Sequence, residues 1–576
     1  MKLFTRYLKP VAGIVSLGLL IKVFGTLAEL ALPYILQYML DVVAVRNKIK
    51  DLILWGLIMI AFAVLCAVLN IVANRMAAKV ARDAARTIRH DLFKATMNLS
   101  AETVDKFTVS SLESRLTTDT YNVHHVIGVI QRMGVRAPIL LFGGLIMTFM
   151  LDYRLALVML ATVPLIGGAV FFVTLKGTPL FRHAQSRTDD MIRVVREVSQ
   201  GIRVVKALSR EEKERARYEN VNRELVKAET KASATMAAVN PSMNLFLNFG
   251  LVAVILIGAI IISRPGSGMK PGVIIAFMQY FTLISNALLH ITRIFVMLTR
   301  AVASAGRIIE VIDSPDDMEV YSSRDFPSDD GAAGICFDNV SFSYKKKKKI
   351  IKEVSFFLKS GEKLGIIGAT GSGKTTLINL LMRFYDVDSG SVRIDGQDVR
   401  TVCRDKLHGF FGAAMQNDFI FSGTIRENID FGRGISDDDI FKALRTAQAE
   451  RFVSELDDGL DYKLNSKGTN LSGGQRQRLF IARAMAGKPR ILVLDDSSSA
   501  LDYKTDAALR RAIAADCKDQ TVVIVAQRVS SVMGCDLILV IDKGRIIDMG
   551  KHEELMERCE VYRETSESQM GGAIFD

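Results

Sequence analysis

Six long apolar stretches, separated by polar segments, fill the first half of the chain. Five of them are long enough to cross a bilayer as a helix, which takes about 20 residues. The third has a short apolar part, so its membrane helix should begin earlier, near Arg132 or Val135. The pattern therefore predicts six membrane-spanning helices. Their apolar parts are Val11–Val43, Leu52–Ala73, Pro138–Leu151, Leu155–Leu175, Ala237–Ile262 and Val273–Leu298.

Two long polar segments leave the predicted membrane region and return to it, one from Arg75 to Gln131 and one from Lys176 to Lys231. The first has the pattern of two long helices joined by a short connection. The second carries fourteen Lys and Arg residues. Connections between spans that are rich in Lys and Arg stay in the cytoplasm when they are no longer than about 60 residues. Both segments are therefore expected in the cytoplasm. The part of the chain after the sixth span is expected there too, because an even number of spans returns the chain to its starting side.

The pattern changes at Ile335, where short β-rich runs begin to alternate with helices. Such alternation is typical of an α/β domain. The acidic, turn-rich stretch over residues 313–334 reads as a linker. We therefore predict an α-helical membrane domain with six transmembrane helices and long intracellular loops over residues 1–312, followed by an α/β domain over residues 335–576.

Composition narrows the class of protein. A net charge of +12 accompanies a positive mean hydropathy of +0.23, which fits a membrane protein with basic cytoplasmic loops. The apolar segments argue against nucleic acid as a partner. The six cysteines are scattered and form no C-x-x-C pair, so neither a metal site nor a disulfide framework is predicted.

Charged residues interrupt two of the predicted spans. Lys22 and Glu29 lie seven residues apart in the first, on nearly the same helix face, and His290 and Arg293 lie toward the end of the sixth. Charges within a span usually face a bundle interior or a water-filled cavity. Lys22 and Glu29 could contact a substrate or a gate, or they could form an ion pair between helices or extend to the membrane surface, and the sequence leaves these interpretations open. The sequence assigns no role to His290 or Arg293.

A glycine-rich loop follows the predicted strand Lys363–Ile367 and opens a helix near Lys374. It fits G-x-x-x-x-G-K-[ST], the phosphate-binding P-loop, in the strand–loop–helix context that this motif requires. Its backbone N–H groups would surround the phosphates, Lys374 would neutralise their charge and the Thr375 hydroxyl would bind Mg²⁺. The predicted phosphate-binding residues are Gly368, Thr370, Gly371, Ser372, Gly373, Lys374, Thr375 and Thr376.

A second motif lies in the stretch from Leu471 to Asp502, which begins LSGGQ. A glycine-rich turn at a helix start can hold an anion on its backbone N–H groups. The buried strand that follows ends in Asp495, a carboxylate placed for Mg²⁺, and is followed directly by Asp496. The predicted anion-binding residues of the first part are Ser472, Gly473, Gly474 and Gln475.

Together these motifs resemble those of ATP-binding cassette (ABC) exporters, and the resemblance covers nearly the whole chain. The chain looks like a half-transporter, with six membrane helices and one P-loop nucleotide-binding domain. The resemblance implies ATP and Mg²⁺ as cofactors and stacking of adenine on Tyr344. It also implies that Gln416 contacts Mg²⁺ and the attacking water, and that Asp502 is the D-loop acid.

The same resemblance implies a short coupling helix at the tip of each intracellular excursion. The candidate regions are Ser114–Thr120 and Gly201–Leu208. It also implies that ATP lies between the P-loop of one nucleotide domain and the LSGGQ of another, in a head-to-tail pair.

Two residues depart from the family pattern. Asp496 stands where the family has Glu, and Gln527 stands where it has the switch His. Hydrolysis needs a carboxylate that polarises the in-line water, and a displacement of about 1 Å can cost about 100-fold in rate. Gln can bind a phosphate but cannot carry charge as His does. The pattern predicts a degenerate ATP site, and the X-loop Leu464–Gly468, which lacks the usual acidic residue, supports divergence more weakly.

Because LSGGQ is intact, we expect a different partner chain to supply the competent site and this chain to complete it. The predicted function is a subunit of a heterodimeric exporter that moves an apolar or amphipathic substrate across a bacterial cell membrane, with the nucleotide domain in the cytoplasm. The alternatives are a homodimeric exporter with Asp496 as a slow base, and an ATP-gated channel or regulatory protein.

Overall fold

A computed structural model describes residues 2–46, 48–264, 269–315, 319–322, 334–344 and 348–571. Parts of the predicted linker and of the lysine run at 345–349 therefore lie outside the described residues. The chain divides into two compact units. The first comprises Met1–Met97 and Ser110–Ser314, and the second comprises Asn98–Val109 and Pro315–Asp576.

The first unit is helical, and among its described residues six continuous helical stretches are long and apolar enough to cross a membrane. This confirms the prediction of six spans. The third stretch begins well before Pro138, as expected, and passes through two π-helical segments, Arg115–Asp119 and Ile130–Gly134. The six stretches are Lys2–Arg46, Ile49–Asn98, Val109–Leu151, Tyr153–Gln200, Glu211–Ile262 and Pro271–Ile312.

Twelve α-helices precede the sheets in the described part of the chain. They are α1 Lys2–Leu8, α2 Ala12–Tyr38, α3 Ile49–Asn98, α4 Ala101–Phe107, α5 Val109–Ser114, α6 Thr120–Val129, α7 Arg136–Leu151, α8 Tyr153–Gln200, α9 Ile202–Ala207, α10 Glu211–Ala237, α11 Val239–Ile262 and α12 Pro271–Ile312.

Local sequence explains where several of these helices begin and how they pack. Asp152 caps α8, because its Oδ1 accepts hydrogen bonds from the N–H groups of Arg154 at 2.8 Å and Leu155 at 3.2 Å. Small residues at helical spacing bury one side of α3 beyond Ala73. Within the membrane core, the buried Tyr280 hydroxyl of α12 donates a 2.7 Å hydrogen bond to the carbonyl of Leu30 in α2.

Asp41, a buried carboxylate, joins the end of α2 to the beginning of α12. Its Oδ1 accepts a hydrogen bond from the Gly272 N–H at 2.7 Å, and its Oδ2 accepts one from Gln37 Nε2 at 2.7 Å. Lys270 Nζ donates to the backbone carbonyl of Asp41 at 2.8 Å. The close approach requires glycine at 272, because a Cβ there would lie 2.6 Å from Asp41 Oδ1.

Of the charges predicted within spans, Glu29 takes part in an ion pair between helices. Its carboxylate accepts two hydrogen bonds from Arg136 of α7, at 2.6 and 3.1 Å. Lys22 is buried, and its ammonium donates to Asn70 at 2.7 Å and to Asn74 at 3.1 Å on α3.

In the part of the chain that the structure describes, the second unit contains three sheets. A six-stranded sheet has the order β12-β11-β3-β10-β9-β6, in which β11, β3, β10, β9 and β6 run parallel and β12 is antiparallel. An antiparallel sheet has the order β2-β1-β4-β5, and β7 pairs with β8. The strands are β1 Gly334–Phe342, β2 Ile351–Lys359, β3 Lys363–Ile367, β4 Ser389–Ile394, β5 Gln397–Asp398, β6 Phe411–Ala414, β7 Gly423–Thr424, β8 Lys463–Leu464, β9 Ile491–Asp495, β10 Thr521–Val525, β11 Leu537–Asp542 and β12 Arg545–Gly550.

Ten further helices surround these sheets in the described residues. They are α13 Lys374–Leu381, α14 Arg404–His408, α15 Ile425–Asp430, α16 Asp437–Thr446, α17 Glu450–Ser454, α18 Gly473–Ala486, α19 Tyr503–Asp516, α20 Val529–Val532, α21 His552–Arg558 and α22 Glu560–Gly571. The α/β prediction for this half is confirmed, because parallel strands alternate with helices along the chain.

The first predicted coupling region is wrong in position. Residues 114–120 belong to the first unit, in a helical stretch that continues into the third span. The short separate helix of this excursion is α4, which groups with the second unit. Ser100 caps α4 and Phe107 is buried. The second predicted region does contain a short helix, α9, between the long helices α8 and α10.

Candidate nucleotide-binding site

The predicted site lies where three neighbouring parallel strands end. β10 pairs with β3 on one side and β9 on the other, and Val525 is in register with both Ile366 and Asp495. The P-loop follows β3, Asp496 follows β9, and Gln527 lies two residues beyond β10. The carboxyl ends of parallel strands form the usual ligand crevice of an α/β sheet.

The P-loop contains two glycines in backbone conformations with positive φ. Gly371 and Gly373 have φ values of 81° and 107°, which side chains with a Cβ rarely adopt. Lys374 Nζ donates hydrogen bonds to the loop's own carbonyls, Gly368 at 2.6 Å and Ala369 at 2.9 Å. Burial lowers the pKa of Lys374, although the negative charges of Asp495 and Asp496 act to raise it. The ammonium is thus held where an anionic phosphate would relieve its desolvation.

The residues present fit a magnesium ion. Asp495 is almost fully buried, and its Oδ2 has no hydrogen-bond partner among the described residues. Burial raises the pKa of the Asp495 carboxyl, and the neighbouring Thr375 side chain acts in the opposite direction. A buried carboxylate oxygen beside a hydroxyl is the oxygen donor set that Mg²⁺ takes when phosphates complete its coordination.

Asp496 and Gln527 contact each other directly. Gln527 Nε2 donates a hydrogen bond to Asp496 Oδ2 at 3.1 Å. Asp496 adopts a left-handed backbone with φ 49°, an arrangement that Asp tolerates better than most residues. Burial raises the pKa of Asp496, opposed by Lys374, by the Gln527 hydrogen bond and by Arg528. The Asp496 carboxylate, next to the predicted phosphate site, is therefore hydrogen-bonded to the Gln527 side-chain amide.

The LSGGQ residues form the start of α18. Ser472 Oγ accepts a hydrogen bond from the Gln475 N–H at 3.2 Å, and Gln475 Oε1 accepts one from the Ser472 N–H at 2.9 Å. This reciprocal capping box fixes the turn. Ser472 and Gly473 are exposed, and Gly474 and Gln475 are partly exposed, so the helix N-terminus can be reached by an anion from outside this chain.

Gln477 is a residue that the sequence did not single out. Its Nε2 donates to the Asp496 carbonyl at 3.1 Å and to Ser499 Oγ at 3.2 Å, and its Oε1 accepts from the Ala500 N–H at 2.8 Å. It therefore joins the LSGGQ helix to the loop that follows β9. The signal available beforehand was its place two residues after the motif, on the first turns of the same helix.

The other predicted site residues are more dispersed. Tyr344 packs edge-on against Tyr385, with centroids 5.1 Å apart, and its hydroxyl is 3.3 Å from that of Thr376 in α13. Gln416 is exposed beyond the end of β6. Asp502 caps α19 through the Thr505 N–H at 2.8 Å and hydroxyl at 2.9 Å, and the Thr505 N–H is the main cause of its lowered pKa.

Among the described residues, no group of three or more His, Cys, Asp and Glu side chains is placed to hold a metal ion.

Comparisons with known proteins match both halves. Residues 15–288 match the ABC transporter transmembrane region family and residues 351–499 match the ABC transporter family. An uncharacterized ABC transporter ATP-binding protein of Mycobacterium tuberculosis is 32% identical over 573 residues, covering 98% of each chain. One from Bacillus subtilis is 33% identical over 568 residues with the same coverage.

A third relative and a solved structure extend the comparison. A multidrug efflux ATP-binding/permease protein of Mycobacterium tuberculosis is 31% identical over 541 residues, covering 94% of this chain and 45% of that protein. The structure of a bacterial Atm1-family ABC exporter with ATP bound is 24% identical, with a TM-score of 0.80 and coverage of 97% of this chain and 98% of that one. The chain therefore belongs to the ABC transporter family, as a multi-pass membrane protein with the fold of an exporter half-transporter.

Proposed function

We propose that this chain is one subunit of a heterodimeric, ATP-driven exporter, in which it contributes mainly the LSGGQ side of the partner's catalytic site. The observation that carries the proposal is the hydrogen bond between Gln527 and Asp496. A carboxylate that accepts an amide donor has fewer lone pairs for an attacking water, and it is one methylene shorter than Glu. Hydrolysis at this site is therefore expected to be slow.

In this proposal, ATP with Mg²⁺ supplies the phosphoryl group that is transferred to water. The P-loop N–H groups and Lys374 bind the phosphates, Thr375 and Asp495 hold the metal, and Tyr344 stacks on the adenine. Gln416 would contact the metal and the attacking water, and Asp502 would be the acidic residue of the D-loop. Asp496 and Gln527 bind near the γ-phosphate but activate water poorly.

The exposed N-terminus of α18 gives the chain its second role. Its capping box engages the N–H groups of Ser472 and Gln475, but Ser472 and Gly473 are exposed, so an anion can reach the turn. A helix N-terminus favours negative charge. We propose that ATP bound to the partner's P-loop takes this position, and that the partner carries the missing Glu and His. ATP binding would then close the nucleotide domains, with α4 and α9 as the coupling helices.

The similarity to a multidrug efflux protein supports export of an apolar or amphipathic substrate. A second candidate is a homodimeric exporter in which Asp496 is a slow base, because this carboxylate follows β9 at the same edge of the sheet as the P-loop. A channel gated by ATP is the third.

Purification of this chain alone and together with its co-expressed partner separates these candidates. We expect the single chain to bind Mg-ATP but to hydrolyse it at least about 100-fold more slowly than the complex. Substantial turnover by the chain alone would refute the heterodimer. Uphill, ATP-dependent flux into membrane vesicles distinguishes a pump from a channel, which only dissipates gradients.

A further inference from the structure

A polar stripe runs along the middle of α12, within a predicted membrane span. Its residues are spaced by three or four, so they share one helix face. Four of them are exposed in the single chain and His290 is half-buried. The opposite face packs into the membrane core through residues such as Tyr280 and Ile284. The polar stripe consists of Gln279, Thr282, Asn286, His290 and Arg293.

Lipid is a poor environment for this stripe, because amide, imidazole and guanidinium groups in hydrocarbon lose their hydration. In membrane proteins such residues face a bundle interior or a water-filled cavity. The side of α12 that carries the stripe must therefore border water, a bound ligand or the partner chain.

Two cavities of the first unit open on the stripe. One, of about 130 Å³, is lined by Arg136, Asn286 and His290 among others. The other, of about 610 Å³, is lined by Glu29, Gln279 and Thr282 together with apolar side chains. The apolar residues of the larger cavity include Leu32, Leu251, Ile275, Met278 and Leu283.

Glu29 and Arg136 connect the two cavities, since each lines one of them and their side chains form a two-point ion pair. Among the described lining residues of the two cavities, Glu29 is the one carboxylate, and Arg136 neutralises it. Arg293 lines neither cavity but lies at the end of the stripe, three residues after His290 and so about one helical turn from it.

Cationic side chains therefore exceed carboxylates in this part of the span. Lys22 is buried, and two neutral asparagines hold its ammonium group. An excess of positive charge in a medium of low dielectric constant attracts an anionic group strongly. The apolar lining beside it suits a hydrocarbon chain.

We propose that the polar stripe and its two cavities bind an anionic amphiphile, with a carboxylate, phosphate or sulfonate head group near Arg293 and His290 and an apolar tail against Leu32, Ile275 and Met278. This inference rests on the proposed export function, for which it names the class of substrate. The head group lies in the half of the span nearer the end of α12, which the charge rule places toward the cytoplasm.

The test uses the co-purified complex in nanodiscs of a zwitterionic phospholipid. The ligands share a lauroyl tail: N-lauroylglycine is anionic, its methyl ester is neutral and lauroylcholine is cationic, and N-acetylglycine has the head group without the tail. Binding of each radiolabelled ligand and its stimulation of ATP hydrolysis are measured. We expect N-lauroylglycine to bind at least about tenfold more tightly than the neutral ester. A difference of this size is what one favourable charge contact would give.

Variants locate the contact. Arg293→Gln should weaken binding of N-lauroylglycine about tenfold and leave the ester unaffected, and Arg293→Glu should make lauroylcholine the preferred ligand. Arg86→Gln, an exposed arginine on α3, is the matched control and should change nothing. Unchanged ATP binding by each variant shows that it has folded.

Equal affinity for the three lauroyl ligands, or tight binding of N-acetylglycine, overturns this inference. Displacement of N-lauroylglycine by phosphatidylglycerol added to the nanodisc would identify a bilayer lipid as the natural source of the head group. Failure to displace it would identify a soluble amphiphile, and both results support the site. Binding with the expected preference but without ATP-dependent transport would refute the export function and leave the binding site standing.

Discussion

Asp496 and Gln527 owe their contact to two local features. The left-handed backbone of Asp496 turns its side chain after β9, and the parallel register of β9 with β10 places the two strand ends side by side. The sequence predicts both residues as departures from the family pattern. Their hydrogen bond could not be predicted, because it depends on a backbone angle and a side-chain rotamer that no sequence pattern encodes.

The double variant Asp496→Glu/Gln527→His should restore hydrolysis at this chain's own site. The longer carboxylate is free of the amide and reaches the in-line water, and His can carry positive charge. We expect single-turnover hydrolysis by the purified chain, at concentrations where copies can pair, to rise about 100-fold. The control Asp496→Asn/Gln527→His keeps the imidazole without a carboxylate and should show no gain. An unchanged rate in the Glu/His variant would contradict the account of the degenerate site.

Two buried cysteines should resist alkylation. Burial raises the pKa of Cys517 to about 11 and that of Cys535 to about 12, so few thiolates exist at pH 8. Cys403 is exposed and should react first with maleimide, as read by timed mass spectrometry, and Cys403→Ser should remove this fast phase. Because both thiols titrate above their unfolded value of about 8.5, the stability they contribute is full below that pH and is lost as pH rises through 11 to 12. Rapid labelling of Cys535 in the folded protein would contradict this burial.

At the level of elements, the six spans and the P-loop strand–loop–helix were predictable, because each rests on many residues with a strong period or on a motif of fixed spacing. Helix α4 was not. It has seven residues, Ala101–Phe107, which is less than the length over which helical periodicity can be recognised. Its apolar residues, Ala101, Val104 and Phe107, are spaced by three, but they span only about two turns. The prediction therefore placed the short helix several residues too late.

The position of α4 can be tested through its hydrogen bond to the nucleotide unit. The Tyr385 hydroxyl donates to Asp105 Oδ2 at 2.8 Å. Tyr385→Phe and Asp105→Asn should each speed hydrogen–deuterium exchange over residues 101–107, and the double variant should add little, with a coupling energy of about 1 kcal/mol. Lys106→Gln, an exposed position on the same helix, is the control. Strictly additive effects would show that the two side chains do not interact.

Considered as a whole molecule, the chain carries two unequal halves of ATP sites. In the proposed function, its P-loop half, with Asp496 and Gln527, hydrolyses ATP poorly, and its LSGGQ half completes the partner's site. The sequence alone leads to this prediction, because both halves are short motifs. It was not sufficient to identify the partner, because the surfaces that select a partner are spread over many residues without a fixed pattern.

The asymmetry predicts unequal effects of mutations in the assembled complex. Ser472→Ala or Gly474→Asp should abolish steady-state ATP turnover, because each disrupts the N-terminus of α18 that we propose completes the competent site. Asp496→Ala should have a smaller effect, because it removes a group that contributes little to hydrolysis. The measurement is Mg-ATP hydrolysis by the co-purified complex, with Arg86→Gln, at an exposed position on α3, as a neutral reference. Equal and complete loss of ATP turnover in all three variants would show that both ATP sites contribute to hydrolysis.

The pairing of Asp41 with Gly272 limits how this chain can vary during evolution. The two positions are 231 residues apart, yet a Cβ at 272 would lie 2.6 Å from the carboxylate. A larger residue at 272 should therefore be tolerated only where position 41 has first become smaller. In a randomised library selected for folding, positions 41 and 272 should co-vary, although they are far apart in the sequence.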